Sequence, residues 1–135
     1  MTNNPPSQNQ PSLRILFVDD DQNITMTFSW MLEIMGHDVR VAHDGPSAMA
    51  IAQTFVPQVV LLDISMPGMS GYEVCQKLRA MPELANSMLV AQTGWSHPEL
   101  QERSILTGFH DHVVKPITID RMEELLTSYK IKQAA

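Results

Sequence analysis

Three almost unbroken apolar runs constrain this chain more than anything else in it: LRILFV (Leu13 to Val18), QVVLL (Gln58 to Leu62) and SMLVAQT (Ser87 to Thr93). A strand that is apolar at consecutive positions is buried on both faces, the mark of a parallel sheet covered by helices. Two further stretches read as strands: DVRVAH alternates and has one wet face, and FHDHVV follows Gly108. Helix signals fill the gaps. The first helix runs from Gln22 to Met35 and stops at Gly36. Gly45-Pro46 opens a short one to about Phe55, ended by Pro57. Ser70 to Glu73 forms a capping box for a helix to about Ala80. Ser96 to Glu99 is a second box with Pro98 in its first turn, where the missing N–H costs little, and Gly108 ends that helix. Thr118 caps a last helix to about Lys130, with Met122, Leu125, Leu126 and Tyr129 inward. Strand then helix, five times, with right-handed crossovers, predicts an α/β fold with a five-stranded parallel sheet and helices on both faces.

The 135 residues suffice for one core. Residues 1–12, rich in Pro, Asn, Gln and Ser, are expected to be a disordered polar tail rather than a secretory signal. The expected domain covers 13–131, with 132–135 as a short C-terminal tail and no fused output module. A net charge of −6 argues against a nucleic-acid partner. No apolar run reaches the roughly 20 residues of a membrane span. A single cysteine, Cys75, excludes an internal disulfide framework and fits a reducing compartment, so the cytoplasm is the expected location.

The strand ends carry the chemistry. The first strand runs into Asp19-Asp20-Asp21, the third into Asp63, the fourth into Thr93 and the fifth into Lys115. In a parallel sheet all carboxyl ends share one edge, where ligands bind. Crowded carboxylates repel, and a hard divalent cation with oxygen ligands relieves that repulsion, which suits Mg²⁺, with Mn²⁺ as an alternative. A carboxylate can act as nucleophile toward a phosphoryl group, and a metal and a lysine would neutralise the charge that develops.

ILFVDDD, VVLLDISMPGMSGYEV, AQTG and VVKP, in that order, resemble the receiver domain of two-component response regulators, from about Leu13 to Tyr129. The resemblance implies a flavodoxin-like sheet of order 2-1-3-4-5. It also implies phosphoryl transfer from a phosphohistidine on a histidine kinase or histidine phosphotransfer protein. Matched position by position, it makes Asp63 the phosphoacceptor, Asp20 the direct metal ligand and Asp19 the acid that acts on the metal largely through water. Ser65 would ligate the metal through its backbone carbonyl. Thr93 would move toward the phosphoryl group, Lys115 would contact one of its oxygens, and the Lys115–Pro116 bond would be cis. The switch aromatic of the family falls on His112, and Gly94 replaces a common alanine. Ser65 and Trp95 occupy positions that tune dephosphorylation. GF-HDH-VVKP is closer to receivers attached to hybrid kinases than to chemotaxis-type ones. The implied protein is a stand-alone switch, self-catalysing its phosphorylation and dephosphorylation rather than turning over as an enzyme. It would change the surface of the fourth helix, fifth strand and fifth helix for an unknown downstream protein, or relay phosphate.

Other readings stand beside this one. The three aspartates could simply cap the first helix. Asp19-x-Asp21 after an apolar strand also fits a haloacid-dehalogenase-type phosphatase, and the chain could be a receiver-like scaffold that binds without phosphorylation. His110-x-His112 resembles a metal pair but reads better as two unrelated strand residues. Cys75 reads as a small core residue. On the first helix, Ile24, Phe28, Met31, Leu32 and Met35 form an inward stripe. Met26, Trp30 and Ile34 form a second stripe, reflecting either broad burial or a patch on which the phosphodonor docks through Met26 and Trp30.

Overall fold

A computed structural model describes residues 12–94 and 98–134. The order of elements is β1 (Arg14–Val18), α1 (Gln22–Ile34), β2 (Asp38–Ala42), α2 (Gly45–Phe55), β3 (Val59–Asp63), α3 (Gly71–Arg79), a 3-10 turn (Pro82–Leu84), β4 (Met88–Thr93), α4 (Pro98–Thr107), β5 (Asp111–Val114) and α5 (Ile119–Ala134). The five strands form one sheet in the order β2-β1-β3-β4-β5, and every pairing is parallel.

The continuous apolar runs are explained by two cores. Leu16, Val18, Val60, Leu62, Leu89 and Ala91 pack with Ala48 and Ala52 of α2 and Val74, Cys75 and Leu78 of α3. The alternate residues Ile15, Phe17, Val59, Leu61, Met88 and Val90 pack on the other face with Leu32 of α1 and Met122, Leu125 and Tyr129 of α5. Successive side chains point to opposite faces, so a strand between two helical layers is apolar at almost every position, with Gln92 of β4 a buried exception.

Several boundaries differ from the sequence reading. The last helix continues to Ala134 rather than stopping near Lys130, so residues 132–134, expected as a tail, form its final turn. The turn at Pro82–Leu84 has no periodic signature and was not foreseen. The second stripe of α1 is not broadly buried: Trp30 is 61% and Ile34 78% exposed, and Met26 is also open to solvent. Among the described residues, no helix is long and apolar enough to cross a membrane.

Candidate functional site

The three consecutive aspartates divide into separate tasks. Asp21 is the N-cap of α1, and its side chain accepts hydrogen bonds from the backbone N–H groups of Asn23 and Ile24. Capping therefore accounts for one aspartate only. Asp19 is fully buried at the end of β1, and its Oδ1 accepts from the N–H of Asp21 at 2.9 Å. Asp20 is exposed at the mouth. Asp63, the last residue of β3, is buried, and its Oδ1 accepts from the N–H of Ser65 at 2.9 Å. Asp19, Asp20 and Asp63 each offer a carboxylate oxygen, all within 4.8 Å of one another.

One cation enters this cluster from the far side of the sheet. Lys115 Nζ donates to Asp63 Oδ2 at 3.0 Å and lies 2.8 Å from Asp19 Oδ2, an ion pair without hydrogen-bond alignment. Its own backbone N–H donates to the carbonyl of Thr93 at 2.7 Å, which ties the end of β5 to the end of β4. The Lys115–Pro116 peptide bond is cis. Burial would lower the lysine's pKa, but the contacts and charges of Asp19 and Asp63 outweigh it and leave the group more basic than usual. The opposite strain acts on Asp20. Loss of hydration and then the charges of Asp63 and Asp19 raise its carboxyl above the ordinary range. Among the described residues, a lysine for two buried acids leaves the third carboxylate without a cation, which is the composition that a hard divalent cation completes.

Thr93 is buried at the end of β4. His112 on β5 pairs with Ala91, two residues before Thr93, so Thr93 and His112 project to the same face of the sheet. His112 is half-buried, and its Nε2 has no hydrogen-bond partner among the described residues; burial lowers its pKa despite the charge of Asp111. His110 faces elsewhere: its Nδ1 meets Arg79 and the N–H of Leu89, so the two histidines do not form a pair. Met26 and Trp30 lie outside the cluster, on the open side of α1. Ser65 is exposed beside Asp63. Trp95 and the Ser96 cap fall outside the described residues.

Gly71 is a supporting residue that the sequence reading passed over. A Cβ there would come within 2.5 Å of both the Asp63 carbonyl oxygen and the Ile64 Cα. The first turn of α3 thus packs directly on the backbone of the acidic strand end, and only glycine allows that approach. The sequence shows it only as the glycine that follows the Ser70 cap, at the first position of α3. Cys75 is buried, its thiol pushed up to about 11 chiefly by burial, and it takes no part in the cluster.

The response regulator receiver domain family matches residues 15–127. The chain belongs to that family. Among curated relatives, this receiver is 32% identical over 109 residues to the "DNA-binding dual master transcriptional regulator RpaA" of Synechocystis, covering 81% of the chain but 45% of RpaA. It is 35% identical to the response regulator PleD of Caulobacter vibrioides over 78% of the chain and 23% of PleD. The receiver therefore spans half or less of these two relatives. Among solved structures, chemotaxis protein CheY4 of Vibrio cholerae superposes with a TM-score of 0.84 at 27% identity, covering 88% of this chain and 99% of that one.

Proposed function

We propose that this receiver accepts a phosphoryl group on Asp63 from a phosphohistidine donor, in a Mg²⁺-dependent reaction. The observation that carries this reading is the mismatch of charge at the sheet edge: three carboxylates within 4.8 Å of one another, with Lys115 paired to only two of them. Asp19, Asp20, Asp63 and the backbone carbonyl of Ser65 would hold the cation. Bound there, Mg²⁺ would supply Lewis-acid charge to phosphoryl oxygens.

The transfer forms an oxygen–phosphorus bond at Asp63 and breaks the nitrogen–phosphorus bond of the donor imidazole, which leaves with the electron pair. The N–H of Ser65 fixes one oxygen of Asp63. Lys115 Nζ, already 3.0 Å from the other oxygen, is within reach of a phosphoryl oxygen attached there. Thr93 then draws toward the group, and His112, on the same face of the sheet, follows into the space released. The surface of α4, β5 and α5 changes as a result. Full switching from about 1:99 to 99:1 takes roughly 5.5 kcal/mol of differential interaction. Two or three charge-assisted hydrogen bonds at about 1.5–3 kcal/mol each supply that much. The domain acts through 13–131 as a switch, with Ser65 and Trp95 setting the phosphate lifetime.

Intact mass after incubation with Mg²⁺ and acetyl phosphate tests the acceptor. A labile phosphoryl adduct is expected on the wild type and absent from Asp63→Asn and from a metal-free sample. An adduct that persists in Asp63→Asn would overturn the assignment, and none on the folded wild type would favour the scaffold reading.

The exposed Met26 and Trp30 on α1 support a second element of the proposal, that the helical donor docks there. Trp30→Ala is expected to slow transfer from the donor about tenfold or more, the range of an aromatic interface anchor. Uptake from acetyl phosphate should stay unchanged. Equal slowing with both donors would argue against docking.

A further inference from the structure

The rung that leads into β5 is closed by a side chain. His110 N–H donates to the Leu89 carbonyl at 2.8 Å, and Leu89 N–H donates back to the His110 ring at Nδ1, 3.2 Å away. The same nitrogen receives a second donor, Nη2 of Arg79 on α3, at 2.8 Å. A guanidinium and a backbone N–H can only donate, so Nδ1 carries no proton and the ring is the neutral tautomer protonated at Nε2. Arg79 also binds the carbonyls of Gly108, Leu84 and Ser87. Its stem packs so closely on Gly108 that a Cβ there would lie 3.2 Å from Arg79 Cγ. One imidazole nitrogen therefore joins the chain between α4 and β5 to both β4 and α3.

We propose that His110 is a proton-operated latch on the corner between α4 and β5: the neutral ring holds the corner shut against α3 and β4, and the imidazolium releases it. An imidazolium carries a proton on both nitrogens. The added N–H would face two donors, so both contacts are lost together. The charges that act on the ring, Arg79 of α3 and Lys132 of α5, are both positive and oppose a third. Asp111, the next residue, is committed to Arg121 of α5. β4 presents only the Leu89 N–H, and α4 adds the uncharged Ser104 and Ile105 to a cavity of about 300 Å³ beside the ring. His112, half-buried on the same cavity, is the other titratable ring there. Burial and the two cations lower the pKa of His110 in the closed corner, whereas an open corner leaves it near 6.5. The latch is therefore fully shut above about 6.5 and gives way as pH falls toward the closed-state value. It changes the α4–β5 surface without any phosphoryl group, so it stands apart from the chemistry of Asp63.

The test is amide hydrogen exchange by NMR on the full chain, from about pH 7.5 to pH 5, across the ordinary histidine range. Protection of the Leu89 and Phe109 amides, corrected for intrinsic exchange, should fall about threefold or more relative to Val60 in the middle of β3. The ceiling at pH 5 is about thirtyfold, reached if the closed ring never takes the proton. His110→Asn supplies an acceptor oxygen that does not titrate and should abolish the fall, while His112→Asn should leave it in place. A fall that persists in His110→Asn, or one that disappears in His112→Asn, would overturn the latch. An equal fall at Val60 would mean that the whole domain opens, and would overturn it too. The wild type gives a separate check should a variant fail to fold. Its His110 ring protons should titrate below about 6.5, and titration at or above that value would rule the latch out.

Discussion

At the carboxyl ends of the strands, Asp19, Asp20 and Asp63 crowd three carboxylates around a single lysine. At the amino ends, donors and acceptors are matched group to group. Leu13 N–H donates to His37 Nδ1, Arg14 N–H to Gln58 Oε1, and Ser87 Oγ to the Pro57 carbonyl. Arg79 donates to the carbonyls of Gly108, Leu84 and Ser87 and meets His110 Nδ1. The same five strands thus end in unresolved repulsion on one side and in closed hydrogen bonding on the other. The first edge has capacity left for a ligand; the second spends its polar groups on holding the strand starts in register. Substitutions should therefore separate cleanly, the carboxyl edge changing chemistry and the amino edge changing stability.

The largest effect is expected at the acidic edge. Asp20→Asn should reduce phosphoryl uptake by about 10²- to 10³-fold, the scale of losing one preorganised charge contact. The folded protein should meanwhile gain slightly in stability, by about 2 °C in Tm at most, since Asp20 is exposed and its repulsion is screened. A fall in Tm in a thermal melt would break the contrast. The amino edge should behave inversely. Arg79→Ala removes a guanidinium that serves three carbonyls, and about 3 kcal/mol of stability should go with it. Uptake per folded molecule should stay within about twofold. Denaturant melts and intact mass on the same sample check both halves.

The smallest effect concerns pH. Burial, and then the charge of Lys130, lower the pKa of His37. Its Nδ1 accepts from Leu13 N–H, so the neutral ring is the folded form. The unfolded chain binds the proton more readily. Stability is therefore complete above the ordinary histidine value of about 6.5 and falls as pH drops below it toward the folded-state value. His37→Asn keeps an acceptor without a titrating ring and should flatten this acid limb. An unchanged limb would assign the slope to other groups.

The fold and the acidic cluster were legible in the sequence for the same reason. A parallel sheet buried on both faces demands consecutive apolar residues, and the first polar residue after each run marks where the strand leaves the core. That rule delivered Asp19, Asp63 and Lys115; in the fourth strand it meets the buried Gln92 first, and Thr93 was reached as the end of the strand and through the AQTG match. It could not separate Asp20 from Asp21, since whether an aspartate faces the cluster or caps the next helix depends on one peptide's orientation. Nor could it identify Gly71, whose reason is a backbone-to-backbone approach across elements far apart in the chain. The amino-edge network was equally silent, because Arg79, Ser87 and His110 share no local pattern and meet only through the sheet. The outer stripe of α1 was visible as a periodicity, but a stripe alone does not say whether anything covers it.

The burial of Cys75 has a practical corollary. As the only thiol of the chain, held at a pKa of about 11 against α4, where its Sγ lies 3.8 Å from the Thr107 carbonyl, it is masked from alkylating reagents while α3 and α4 stay closed. Its labelling rate is then a built-in clock for the opening of that seam, readable without a tag or a reporter residue.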